Sequence, residues 1–169
     1  VLTGDYRFRT YGPWDDALAG LRRLRDALRT PAYAVLGNHD SIRMVPAMEA
    51  MGYRLLLNEH LPIRHSGDTL HLAGVEDTYL YGLADLPRAA REIPPDAPSI
   101  LLSHTPEIYH HAAETGFDLM LCGHTHGGQI CLPGGLPLIT HADCPRRFVR
   151  GSWRYGEMTG YTSRGAGNS

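Results

Sequence analysis

The sequence predicts an α/β layered fold, on two observations. Amphipathic helical stretches alternate with short apolar runs of strand character along its 169 residues, the order that layers helices on a sheet. Four of those runs also end at once in a potential metal ligand or acid–base group. They are Val1-Leu2-Thr3 into Asp5, residues 33–36 into Asn38, His39 and Asp40, residues 100–102 into His104, and residues 119–121 into His124 and His126. Ligands bind at the carboxyl ends of strands in α/β sheets. Four such ends side by side would bring Asp5, Asn38 and four His into one cleft, with Asp40 beside them. That is a metal site in outline.

The elements follow in order. Residues 14–29 form the clearest helix, with Leu18, Leu21, Leu24 and Leu28 at spacings of 3, 3 and 4 opposite Arg22, Arg23 and Asp26, one apolar stripe for a core. Asp15 and Asp16 suit its N-terminal dipole, and Pro31 follows its end. A strand is predicted at 32–36, then a second helix at 45–51 closed by Gly52. Strands at 53–57 and 69–73 are separated by the turn residues Ser66-Gly67-Asp68. Helices at 83–91 and 106–115 and strands at 100–102 and 119–121 complete the alternation, and the Gly- and Pro-rich remainder reads as loops and short strands, the last at 160–163. No repeat, low-complexity tract or boundary interrupts the chain, so a single domain over residues 1–169 is expected. Val1-Leu2-Thr3 reads as the tail of a strand already under way and residues 165–169 as an open turn, the pattern of an internal piece of a longer protein.

Composition narrows the function classes. Hydrophobic residues at 43% and charged residues at 20% fit a globular chain and exclude disorder. Sixteen Lys and Arg against 18 Asp and Glu leave a net charge of −2, with no nucleic-acid-binding signature. No apolar run is long enough to span a membrane. Cys122, Cys131 and Cys144 are an odd three with no C-x-x-C pair, which argues against a disulfide framework and for reduced thiols. The ten histidines stand out. Chemistry should be sought there.

Imidazoles with carboxylate and amide oxygens suit Mn, Fe or Zn, whereas the lack of a thiolate set disfavours structural zinc. His124 and His126 can both turn inward only from a tight loop, which Gly123, Gly127 and Gly128 permit. A carboxylate such as Asp5 can bridge two cations about 3.5–4 Å apart, a pair that clamps the oxygens of an in-line phosphoryl displacement.

Gly4-Asp5, Gly37-Asn38-His39-Asp40, His104 after an apolar strand, and residues 123–129 (Gly-His-Thr-His-Gly-Gly-Gln) resemble the calcineurin-like metallophosphoesterase family in order and spacing. The resemblance covers nearly the whole chain. Residues 160–167, with Leu57-Asn58-Glu59 and Gly74-Val75-Glu76-Asp77, look like a bacterial phosphodiesterase-like branch that includes enzymes related to UDP-2,3-diacylglucosamine hydrolases. The resemblance implies a layered α-β-β-α sandwich and a phosphodiesterase or pyrophosphatase using a dimetal-bound hydroxide. Its substrate would be nucleotide- or lipid-linked, and its setting a cytoplasmic or membrane-associated bacterial protein.

Carried over residue by residue, the resemblance makes Asp5 the bridging ligand, Asn38, His104 and His124 the rest of one metal's shell, and His126 a ligand of the other. His39 would be the general acid rather than a ligand, with Asp40 orienting its ring. Arg7 is a candidate to hold the phosphate's remaining oxygens, against the plainer reading of a loop cation. The family opens with an Asp-x-His motif before Gly4-Asp5 that this sequence does not contain. Two divalent ions are therefore expected in a longer parent, truncated here at both ends. This sequence alone supplies a full shell for one.

Plainer readings apply elsewhere. His60, His65, His71, His110, His111 and His141 read as satisfied or surface histidines, and Asn58 and Asp77 as turn formers. Cys122 ends an apolar strand and reads as a buried, inert thiol rather than a nucleophile. The competing functional classes are a non-catalytic scaffold of the same fold and a module holding one metal. Intact motifs favour the enzyme.

Overall fold

The computed structural model describes residues 1–128, 130–132, 136–139 and 142–166, the segments 130–132 and 136–139 by backbone alone. Gln129 and His141, named above, lie outside the described residues. The chain runs α1 (Asp15–Ala27), β1 (Ala32–Ala34), α2 (Val45–Ala50), β2 (Tyr53–Leu55), β3 (Glu59–His65), β4 (Asp68–Gly74), α3 (Leu86–Ala89), β5 (Ser99–Leu102) and α4 (Tyr109–Thr115). It continues through β6 (Leu119–Cys122), β7 (Ile130–Leu132), β8 (Leu136–Ile139), β9 (Gly151–Tyr155) and β10 (Met158–Thr162).

Two sheets meet face to face. In the first, β1 pairs parallel with β2, and Leu2 bridges parallel to Ala34 on the other side. The second has the order β3-β4-β5-β6-β10-β9, parallel across β4, β5, β6 and β10, with antiparallel β3 and β9 at its edges. Side chains alternate between faces at period 2, and the core divides accordingly. Val35, Leu56, Leu72 and Leu102 pack between the sheets. Leu21 of α1 and Met48 of α2 cover the outer face of the first sheet against Ala34 and Leu55. Leu86 of α3 and Ala112 of α4 join Leu101, Met120 and Trp153 on the outer face of the second. The order is helices, sheet, sheet, helices: the α-β-β-α sandwich that was expected.

The helix stripe of α1 and strands β1, β2, β4, β5 and β6 stand where the sequence predicted them, with α1, β1 and β2 shorter and β4, β5 and β6 longer by a residue or two at their ends. Strand β3 was not predicted. It carries Pro62 and four charged or histidine residues among its seven, a composition that hides a strand unless it lies at an edge. That is where it lies, joined to β4 through the Ser66-Gly67 turn. α3 and α4 are shorter than expected. Residues 106–108 form a turn, Tyr109 N–H donating to the Pro106 carbonyl, before α4 begins.

Asp77 is a turn former, as the plainer reading held, whereas Asn58 joins its own loop to residues 18 to 27 positions further on. Asn58 Oδ1 accepts from the N–H of Glu76 and Asp85, and Asp77 Oδ2 accepts from Leu80 and Tyr81.

Candidate metal centre

The carboxyl ends of the Leu2 segment, β1, β5 and β6 deliver their loops to one place. Gly4 has φ +96°, and a Cβ there would lie 2.7 Å from Gly37 Cα and 2.8 Å from His104 Nδ1. Only glycine permits this approach of the first two loops. Asp40, buried behind them, ties the loops together. Its Oδ2 accepts from the N–H of Asp5 at 2.7 Å and Gly37 at 2.9 Å, and its Oδ1 from Tyr6 at 2.8 Å and Arg7 at 3.3 Å. Burial pushes the Asp40 carboxyl up to about 6, with the Gly37, Tyr6 and Asp5 N–H groups pulling the other way.

His104 occupies the centre. Its Nδ1 donates to the Thr3 carbonyl at 2.6 Å, so Nε2 is the nitrogen left with a lone pair in the neutral ring. Around Nε2 stand Asn38 Oδ1 at 3.0 Å, His124 Nδ1 at 3.1 Å and Asp5 Oδ2 at 3.3 Å. Asp5 Oδ1 accepts from His39 N–H at 3.0 Å, which turns Oδ2 toward the ring. Burial opposes charge on both Asp5 and His104. Their hydrogen bond and mutual attraction outweigh it, so Asp5 titrates below the ordinary carboxylate range and His104 above the ordinary imidazole range.

The donor set fits a divalent cation. Four atoms that accept but need not donate converge around one point, and the ligand atoms of Asp5, His104 and His124 lie within 4.8 Å of one another. Oxygen and imidazole donors of this kind suit Mn, Fe or Zn. His124 and His126 both adopt left-handed backbone, at φ 66° and 51°. Such strain in non-glycine residues gathers at functional sites.

The structure brings the other expected residues to the same cavity, about 310 Å³, where His39, His126 and Arg7 join Asp5, His104 and His124 in the wall. His126 stands apart from the three-residue ligand group. Two expectations need correcting. Asp40 does not orient His39. Both its oxygens are committed to backbone N–H groups, and Thr10 Oγ1 meets His39 Nδ1 at 2.9 Å instead. Arg7 is no loop cation in solvent. It is 7% exposed, its Nη2 donates to the Gly12 carbonyl at 2.6 Å, and its guanidinium lies 5.5 Å from the Trp14 ring centre.

Sequence reasoning missed three residues. Thr10 carried no spacing signal. Tyr79, its ring 4.6 Å from that of His124, sits in a run that reads only as aromatic. Arg164 lines the cavity and lay within the 160–167 segment already singled out.

The sequence model described as calcineurin-like phosphoesterase matches residues 1–128. The chain belongs to the calcineurin-like phosphoesterase family. Phosphodiesterase YaeI of Escherichia coli (strain K12) is 32% identical over 180 residues, covering 99% of this chain and 63% of the relative. The uncharacterized metallophosphoesterase YkoQ of Bacillus subtilis (strain 168) is 28% identical over 179 residues, covering 100% of this chain and 65% of the relative. UDP-2,3-diacylglucosamine pyrophosphatase LpxG of Chlamydia trachomatis is 31% identical over 90 residues, 53% of this chain and 26% of the relative. The chain thus spans less than two thirds of the length of these relatives. No solved structure matches. Among the described residues of this family member, no helix is long and apolar enough to cross a membrane.

Proposed function

We propose that this chain is a metal-dependent phosphoester hydrolase acting on a diester or pyrophosphate. Asp5, Asn38, His104 and His124 would hold one divalent cation, and Asp5 with His126 would contribute to a second. The observation that supports this most is the convergence on His104 Nε2 of three acceptor atoms at 3.0–3.3 Å while Nδ1 is tied to Thr3. Without a metal, a proton on Nε2 pairs His104 with Asp5; a divalent cation would take that proton's place and join all four donors. Bound divalent cations supply Lewis acidity to the phosphoryl oxygens and lower the pKa of water.

The remaining residues do the work of position and proton transfer. In the imidazolium form His39 Nδ1–H donates to Thr10 Oγ1, which fixes the ring and aims the second proton, on Nε2, away from Thr10. There it serves as general acid for the departing oxygen. Asp40 holds the loops that carry Asp5 and Asn38. Relatives named as a phosphodiesterase and a pyrophosphatase support the choice of reaction.

The test is hydrolysis of bis(p-nitrophenyl) phosphate by the chain with Mn²⁺. Turnover should vanish with a chelator and return with metal. In the His39→Ala variant it should fall by about 10²–10⁴-fold with metal content unchanged. No turnover from a folded, metal-loaded chain would favour a binding scaffold. Equal loss of turnover and metal in His39→Ala would make His39 a ligand.

A further inference from the structure

The wall of the metal cavity holds one carboxylate, Asp5, and two arginines, Arg7 and Arg164. Arg7 is committed elsewhere: it is 7% exposed, and its Nη2 donates to the Gly12 carbonyl. Arg164 is exposed. Among the described residues it forms no ion pair and its guanidinium meets no acceptor. The Gly165 N–H beside it is spent on Ser163 Oγ. The loop after β10 therefore offers the cavity one strong donor group, the guanidinium of Arg164.

The strand before Arg164 fixes where it stands. β10 lies parallel to β6 with Thr162 opposite Cys122, and the Ser163 N–H donates to the Cys122 carbonyl at 2.8 Å. Thr162 is buried, its Oγ1 donating to the Phe148 carbonyl and accepting from the Trp153 indole at 2.8 Å. The chain thus leaves β10 alongside the turn through which β6 delivers His124 and His126. The stem of Arg164 then crosses Gly127. A Cβ there would lie 3.1 Å from Arg164 Cγ and 3.4 Å from its Cδ, on a backbone at φ +78°. Glycine at 127 leaves the arginine its path over the turn to the cavity. A metal cluster beside a guanidinium without a carboxylate partner calls for an anion. A phosphoryl group suits both, because its non-bridging oxygens point in different directions and the metal and Arg164 can each hold one.

We infer that Arg164 binds a non-bridging oxygen of the substrate's phosphoryl group and holds the charge that gathers there as phosphorus is attacked. The role first considered for Arg7 falls to Arg164, whose guanidinium is the accessible one. The assignment rests on the hydrolase reading for the identity of the anion. Anion binding itself is measured without turnover.

The test is calorimetric titration of inorganic phosphate into the full chain, loaded with Mn²⁺ and freed of excess, with metal content read by elemental analysis. The parent chain should bind phosphate saturably. Arg164→Met keeps a stem over Gly127 and removes the charge. It should weaken phosphate binding at least about tenfold while holding as much metal as the parent. Arg164→Lys supplies a point charge without the planar fork and should recover part of the loss. Arg154→Ala is the control: Arg154 of β9 pairs with Glu157 in solvent, and its loss should leave phosphate affinity unchanged. For bis(p-nitrophenyl) phosphate, kcat/KM should fall in the same order. A parent chain that binds no phosphate, or equal affinity in Arg164→Met, overturns the inference. Loss of metal in Arg164→Met also overturns it, making the residue a prop for the His124–His126 turn. Phosphate bound through Arg164 with no ester cleaved upholds the anion site and refutes the hydrolase reading.

Discussion

His104 Nδ1 donates to the carbonyl of Thr3, 101 residues away in sequence, at 2.6 Å. That bond selects the tautomer. It leaves Nε2 with its lone pair among Asp5, Asn38 and His124, and ties the start of the chain to the loop after β5. In ¹⁵N spectra of the zinc-loaded protein, His104 should show a protonated Nδ1 and an Nε2 shifted by the metal. A proton on Nε2 in the loaded state would contradict the tautomer.

Asp40 accepts from four backbone N–H groups belonging to two loops. Each donor stranded by its loss costs on the order of 1–3 kcal/mol, though water entering the gap repairs part of this. Asp40→Ala should lower unfolding free energy by at least about 3 kcal/mol in urea titration. Asp40→Asn, which keeps one acceptor oxygen, should cost less. Equal midpoints for Asp40→Ala and the parent chain would contradict the clamp.

At Gly37 an added Cβ would collide with Asp5 Oδ1 and with the Asp5 backbone, and would lie 2.7 Å from His104 Cε1. Gly37→Ala should therefore displace two ligands at once and lower Mn²⁺ affinity at least about tenfold while the far sheet stays folded. Calorimetric titration beside near-ultraviolet dichroism reads both. Unchanged affinity would mean that the loops absorb a methyl group.

Cys122 ends β6 in the core, and burial pushes its thiol up to about 12, against a hydrogen bond from the Thr162 side that favours the thiolate. At pH 8 about one molecule in 10⁴ would carry the thiolate. Iodoacetamide should leave Cys122 unlabelled in the folded chain and label it after denaturation, as peptide mass spectrometry would show. Labelling of native Cys122 at the rate of a free thiol would reopen a nucleophilic role.

Much of this was legible in the sequence, for a physical reason. Asp5, Asn38, His104 and His124 each follow an apolar run closely, and parallel strands end on a common side of their sheet. The α1 stripe was equally plain, because a helical period survives over four turns. Strand β3 was not legible: Pro62 and its charged neighbours break the alternation, and only its edge position tolerates them. Nor were the true partners of Asp40 and His39. Asp40 sits beside His39 in sequence, yet its carboxylate turns to Asp5, Tyr6 and Arg7, some 33–35 residues away. Thr10 reaches His39 across 29 residues. Contacts of that range depend on how two loops cross, which no local spacing encodes.

The central claim is that Asp5, Asn38, His104 and His124 form a cation site in this chain. Its most direct test is metal stoichiometry of the purified, folded protein after incubation with Mn²⁺ and removal of excess, read by elemental analysis. The account predicts at least one Mn²⁺ per chain, lost in His104→Ala while the fold is kept. A folded chain that retains no Mn²⁺ would contradict it.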